Sequence, residues 1–378
     1  MPPVPVWSRH PKYTIVVLVT LACSLYLLYP FELGSKPAPN TLRQANGFPY
    51  DRDLQGRLKQ SDAIYEKMLQ DRKGLIKHFG PKPSNIKMFP PNKRPWPPYT
   101  VWDFFPAAYN CPHDIQRLGA LGDGGKWVCG ITRLETKRDC VVYSFGINYE
   151  SSFEAEILRN TEHCQIWGYD FSVKSFGPEI PRNQRQRTHF HPYKLGGSDQ
   201  KAVGKEPPMY TLGSLMRLNG TVCTNLSRRQ VAYVLLTGHE HIDILKVDIE
   251  SWEFDLLTTL IKSYRDAEMP LPFGQLQLEI HAWNKSFEEY LKWWEMLEEA
   301  GLRPFWTEVC LSLSNFWSLV HNIECLNPQP NLVYNNYNRE SGADLAEYSF
   351  LNIKGDNIFI QDPPRHENDE RRYTHDSD

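Results

Sequence analysis

The sequence has no surplus of charge. Its 42 basic residues face 45 acidic ones, a net charge of −3 over 378 residues, so it is not built to hold nucleic acid by bulk electrostatics. Cysteine is scarce, eight in all, with no C-x-x-C and no Cys/His spacing of a zinc site. That excludes a small disulfide scaffold and a zinc module. The glycine-rich fingerprints G-x-G-x-x-G and G-x-x-x-x-G-K-[ST] do not occur, so the marks of dinucleotide and nucleoside-triphosphate binding are missing. There is no internal repeat. Apolar residues are not lacking: they make up 41% of the chain, and aromatics 13%, with eleven Trp. A wholly disordered chain is thereby excluded. The length suits about two domains, or one large domain with appendages.

Charge is also missing from Tyr13 to Phe31, YTIVVLVTLACSLYLLYPF. Nineteen residues at the helical rise span about 28 Å, close to a bilayer's hydrocarbon core. Arg9, His10 and Lys12 precede the run and Glu32 follows it. The positive-inside rule then leaves residues 1–12 in the cytosol, makes 13–33 a transmembrane signal anchor, and carries the rest across. A cleaved signal peptide is disfavoured by the length of the run and by the absence of a small-x-small site after it. The expected result is a single-pass type II membrane protein of the endoplasmic reticulum or Golgi. The sequons Asn219-Gly-Thr221, Asn225-Leu-Ser227 and Asn284-Lys-Ser286 are compatible with it. Seven cysteines, from Cys111 to Cys325, would face an oxidising lumen, and their pairing is open.

Ten prolines between Lys36 and Pro98 predict an extended stem over 34–105. Within it, Asp51 to Phe79 reads as a helix. Leu58, Tyr65, Met68, Leu75 and Phe79 recur at helical spacing, and Gly80-Pro81 stops it. The helix could form a homodimeric coiled coil, but Ser61 and Arg72 at seam positions favour packing on the chain's own domain. The domain itself is expected over 106–360. The polar tail, 361–378, is expected to be disordered.

The middle of the chain alternates strand and helix patterns. Val141–Gly146, Gln165–Tyr169, Thr188–Leu195, Ile242–Val247 and Gln275–Ile280 read as strands, with helices over Ser152–Asn160, Glu253–Tyr264 and Phe287–Ala300. Later strand candidates, Arg303–Leu311, Phe316–Ile323 and Tyr348–Ile353, follow without helices between them. The expected fold is α/β: a doubly wound, mostly parallel, Rossmann-like sheet with an antiparallel edge.

Such sheets bind ligands beyond the carboxyl ends of their strands. Four of those ends carry polar residues: Gly146-Ile-Asn148, Asp170, Asp248-Ile-Glu250 and Glu279-Ile-His281. A glycine after the first strand admits a ligand against the backbone. An acid 24 residues later, at the end of the second strand, is placed to accept ribose hydroxyls. With phosphate fingerprints missing, the layout suits a nucleoside cofactor without phosphates.

The runs Arg117-Leu-Gly119, Gly122-Asp-Gly-Gly-Lys-Trp-Val-Cys129, Val142-Tyr-Ser-Phe-Gly-Ile-Asn148 and Ser152-Phe-Glu154 resemble the methyltransferase-like protein 24 family, relatives of FkbM-type methyltransferases. Leu245-Lys-Val-Asp-Ile-Glu250 and Glu253-Phe254 resemble the FkbM strand-four pattern, although Ser251-Trp252 stands where that pattern carries Gly. The resemblance spans about Cys111 to Ile353. It implies a class I fold and S-adenosyl-L-methionine as cofactor. On that basis Gly124, Gly125, Gly146, Asn148, Glu154, Asp170 and Asp199 are expected around the cofactor, with Asp170 on the ribose and Asp199 on the adenine amino group.

Asp248 and Glu250 alternate on a strand end, so both can face one side and hold a divalent metal or take a proton. His281 is a candidate general base. Trp283, Trp293 and Trp294 are candidates for a sugar-binding rim, and since the last two are adjacent on a helix, at least one of them is expected to face away from the core. His189, His191, His239 and His241 read as surface or core residues. The expected activity is O-methylation of a glycan or secreted-pathway acceptor, with no nucleic-acid partner. The alternatives are a type II glycosyltransferase using Asp248 and Glu250 with a metal, and a catalytically inactive binding protein.

Overall fold

The computed structural model describes residues 54–88, 99–121, 124–219, 238–250, 252–312 and 342–362. The apolar run at 13–31, the sequon at Asn225, Cys223 and Cys325, the strand candidate 316–323 and the tail from 363 lie outside the described residues. Among the described residues no helix is long and apolar enough to cross a membrane.

The first element is helix α1, Leu54–Phe79. Leu58, Tyr65 and Met68 are buried, as their spacing predicts, and so are Ser61 and Arg72. The Ser61 hydroxyl donates to the Asn110 carbonyl at 2.9 Å. Arg72 donates to the Phe104 carbonyl and, through both terminal nitrogens, to Glu298 at 2.9 and 2.7 Å. The face that could have dimerised is therefore spent within the chain. The compact unit runs from residue 51, so it includes this helix and the Val101–Phe105 segment. The expected start at 106 lies inside this compact unit, because proline density marks extended chain but not whether that chain packs.

A hairpin follows, β1 (Ile115–Leu118) with β2 (Lys126–Cys129), antiparallel. Next come β3 (Val141–Phe145), α2 (Ser152–Asn160), β4 (Gln165–Tyr169) and β5 (Thr188–His191). A short pair, β6 (Lys194–Leu195) and β7 (Met209–Tyr210), leads to α3 (Leu212–Leu218). Then follow β8 (Ile242–Val247), α4 (Glu253–Asp266), β9 (Phe273–His281), α5 (Phe287–Glu299), β10 (Leu302–Ser312) and β11 (Gly342–Asn352). Seven strands form one sheet in the order β10-β11-β9-β8-β3-β4-β5. The five strands β9, β8, β3, β4 and β5 run parallel, and β11 is antiparallel to both β9 and β10. The order reverses between β3 and β8, which makes their carboxyl ends the switch point. This is the doubly wound, mostly parallel sheet with an antiparallel edge that the sequence predicts.

Two apolar cores cover the two faces. One gathers α4, α5 and the 101–105 segment against Tyr143, Phe145, Val247, Leu278 and Ile280. The other gathers α2, the hairpin and the first half of α1 against Val142, Ile166 and Ile244. Trp293 and Trp294 are both buried, contrary to the expectation that one would face away. The α5 helix is covered on two sides: Trp293 packs on Phe254 of α4, and Trp294 on Phe105 and Phe350. Two disulfides, Cys111–Cys129 and Cys140–Cys164, settle the pairing the sequence left open for these four residues.

Candidate active site

The first wall of the site comes from the loop after β3. Gly146 has φ 80°, a conformation L side chains rarely adopt. A Cβ there would stand 2.0 Å from the Asp248 carbonyl oxygen. Beyond it Asn148 and Tyr149 also take positive φ, 41° and 61°. The Asn148 amide donates to the Asp170 Oδ2 at 2.7 Å, and the Ser172 amide and hydroxyl both donate to Oδ1 at 2.7 Å. A carboxylate offers about four acceptor positions, so one on Oδ2 remains for a ligand.

Beneath this loop lies a buried support. Lys246 donates to the Gly146 carbonyl at 2.8 Å and lies 3.9 Å from Glu154. Glu154, wholly buried, accepts from the Ser144 hydroxyl.

The second wall comes from β8 and β9. The run Gln275-Leu-Gln-Leu-Glu-Ile-His281 alternates polar and apolar strictly, so Gln275, Gln277, Glu279 and His281 share one sheet face. One ligand atom each from Asp248, Glu279 and His281 lies within 4.8 Å of the others. His281 is 3% exposed, and its Nδ1 lies 3.0 Å from the Oε1 of Glu253, which is wholly buried. Its Nε2 faces the Oε2 of Glu250 at 3.6 Å and the Oε1 of Glu279 at 3.9 Å, both beyond hydrogen-bond reach. Burial alone would lower the His281 pKa. The hydrogen bond and charge of Glu253, with Asp248 and Glu250, outweigh burial and raise it. Burial raises the Glu279 pKa, and the neighbouring carboxylates of Glu347 and Asp248 push it further up.

The two walls enclose one cavity of about 490 Å³, within the ordinary range for a small-molecule site. Gly146, Asn148 and Asp170 line one side, and Asp248, Glu279 and His281 the other. Phe171, Trp252 and Trp283 line it as well, at 55%, 54% and 38% exposure, and form its rim.

Several expected site residues lie elsewhere. Gly124 and Gly125 belong to the hairpin turn, packed against Glu150 and Arg117, and do not line the cavity. Glu154 acts one layer down, through Lys246. The carboxylate of Asp199 accepts from the Thr211 amide at 2.7 Å and from the Ser214 hydroxyl at 2.5 Å, at the start of α3. It is exposed and outside the cavity, and it braces the helix's capping residue, Thr211. Glu250 lines the cavity but is not in the ligand-competent cluster. Strand β8 ends at Val247, and Glu250 turns left-handed at φ 53° with its side chain 76% exposed. Both acids reach the cavity, but Glu250 does so from a turn beyond the strand and not by strand alternation. Glu279 joins the cluster although the spacing of Asp248 and Glu250 does not point to it. Its signal was present all the same, in its alternation with His281. Trp252, on the rim, had no signal beyond its type.

Among the solved structures that resemble the chain are two of low sequence identity. One is a fibrillarin pre-rRNA processing protein of Methanococcus jannaschii, 13% identical, with 60% of this chain and 70% of that one covered and a TM-score of 0.26. The other is precorrin-6y C5,15-methyltransferase of Geobacter metallireducens GS-15, 11% identical, with 58% and 83% covered and a TM-score of 0.25. At these scores neither supports an inference. No curated protein matches. The family model described as a methyltransferase domain matches residues 57–318, well over half of the 378 residues. The chain therefore belongs to that methyltransferase-domain family.

Proposed function

We propose that the chain methylates an oxygen of an acceptor, using S-adenosylmethionine held between β3 and β4. Use of that cofactor follows from the family. Its place here is supported by one observation above all: Gly146 and Asp170 open on the same cavity as Asp248, Glu279 and His281. Asp170 has one acceptor position left for a ribose hydroxyl, and the Gly146 loop, held from below by Lys246, presents backbone where a side chain would block approach. When bound, the cofactor supplies a methyl group on a sulfonium. This chain's task is then positioning: the acceptor oxygen must lie in line with the methyl and sulfur. Asp248, Glu279 and His281 stand across the cavity from Asp170, where the acceptor's proton must leave. Within the family, the motifs around Gly146 and Asp248 favour the methyltransferase-like protein 24 and FkbM branch.

A glycan or a secreted protein is the acceptor we favour. Phe171, Trp252 and Trp283 offer exposed rings at the rim, as sugar faces require. Two disulfides and the apolar N-terminal run suit a type II protein with a lumenal domain. Calorimetry with S-adenosylhomocysteine tests the cofactor reading. One site per chain is expected, weakened at least tenfold by Asp170→Asn. Transfer of labelled methyl to alkali-stable ethers on a secreted glycan pool tests the acceptor. Absence of nucleoside binding to folded protein would sink the proposal.

A further inference from the structure

We propose that Asp248, Glu279 and His281 form a binding site for a single divalent cation of the first transition row, which engages the acceptor oxygen beside the cofactor. Three observations carry it. Their three ligand atoms already lie within 4.8 Å of one another at the wall of the cavity, so one ion can reach all three. The His281 ring is almost wholly buried, and Glu253 accepts from its Nδ1 at 3.0 Å, which leaves Nε2 on the cavity side with no hydrogen bond. A carboxylate behind a histidine's far nitrogen is the usual support of a metal-bound imidazole. Charge also points the same way. Asp248, Glu279 and Glu347 all act on the Lys126 ammonium, three carboxyl groups crowded on one amine. Glu347 stands directly opposite Glu279 in the sheet register. Carboxyl groups crowded this closely repel one another when ionised, and a divalent ion at this cavity wall would relieve that repulsion.

Donor chemistry narrows the ion. Carboxylates suit Mg²⁺, Ca²⁺ and Mn²⁺, and an imidazole suits first-row metals. Mn²⁺ satisfies both preferences, and three protein donors leave further positions for water and the acceptor. The acceptor role rests on the methyl-transfer reading above. An acceptor hydroxyl beside the cation loses its proton to water. A lone pair of the resulting oxyanion then forms the C–O bond, while the C–S bonding pair returns to sulfur. The products are a methyl ether and S-adenosylhomocysteine. The site requires Glu279 and dispenses with Glu250, the reverse of what the sequence spacing predicts.

The test is Mn²⁺ binding to the full-length chain, followed by the loss of the free-ion paramagnetic resonance signal, without cofactor or acceptor. One saturable Mn²⁺ per chain is expected. Glu279→Gln and His281→Asn should each weaken it at least tenfold, and Glu250→Gln should change it less than twofold. Circular dichroism and S-adenosylhomocysteine binding, measured on the same samples, establish that each variant is folded. No saturable Mn²⁺, or equal binding in all variants, overturns the proposal. A chain that binds Mn²⁺ but not S-adenosylhomocysteine keeps the cation site and refutes the cofactor reading, so the two failures are distinct.

Discussion

Gly146 and Asp248 meet backbone to backbone at the switch point: the space a Cβ would need at Gly146 is filled by the Asp248 carbonyl oxygen, 2.0 Å away. The contact joins the two walls of the cavity. Gly146→Ala must therefore shift one wall against the other, besides straining a residue at φ 80°. The strain alone costs about 1–3 kcal/mol. We expect that loss in urea denaturation, with S-adenosylhomocysteine affinity down at least tenfold. An alanine variant with native affinity would contradict the site geometry.

Arg72 and Glu298 form a buried pair, 4% and 9% exposed, linking α1 to α5. Arg72→Ala strands a carboxylate in the core and should cost about 3–5 kcal/mol. A Met pair at both positions should recover most of it, because the desolvation of both charges is removed together. Chemical denaturation of the single and double variants checks both statements.

Acid should destabilise the fold through its histidines. Burial, with the charge of His189, holds His239 down at about 4, and burial lowers His113, His189, His191 and His241 as well. The unfolded chain takes up protons near pH 6.5 that the fold refuses. Stability is then complete above about pH 6.5 and is lost as pH falls through about 4. Denaturation midpoints between pH 7.5 and 4 should fall with pH, and His239→Gln should flatten part of the slope.

Glycosylation should discriminate between sequons. Asn284 is exposed. The Asn219 amide donates to the hydroxyls of Tyr143, at 2.8 Å, and of Tyr169, and a glycan on that nitrogen is incompatible with both bonds. In a glycosylating host, peptide mass spectrometry should find Asn284 occupied and Asn219 bare.

Much of this was legible in the sequence. The strands VVYSF, QIWGY and IDILKV announce themselves by β-branched and aromatic density, and the sheet puts them side by side at its centre. The place of Asp170 on the cavity wall is legible because ligand crevices in such sheets lie beyond the strand ends. The hairpin of IQRL with KWVC was not, since four-residue strands of mixed composition carry little periodicity. The route by which Glu250 reaches the cavity is not legible, because period two holds only while the strand does, and the backbone turns left-handed three residues past Val247. Asp199 was misread because its partners, Thr211 and Ser214, are twelve and fifteen residues away. The Trp293–Trp294 pair was misjudged because a helix pattern does not reveal that a second segment covers its flank.

The early entry of α1 into the core has a practical side. Recombinant fragments trimmed at the last proline of the expected stem would discard the helix that neutralises Glu298, and cuts after Phe105 would also uncover the aromatic stack of Phe287, Tyr290 and Trp294 beneath it. Such fragments should precipitate on expression, while those beginning between Gly34 and Leu54 should remain in solution.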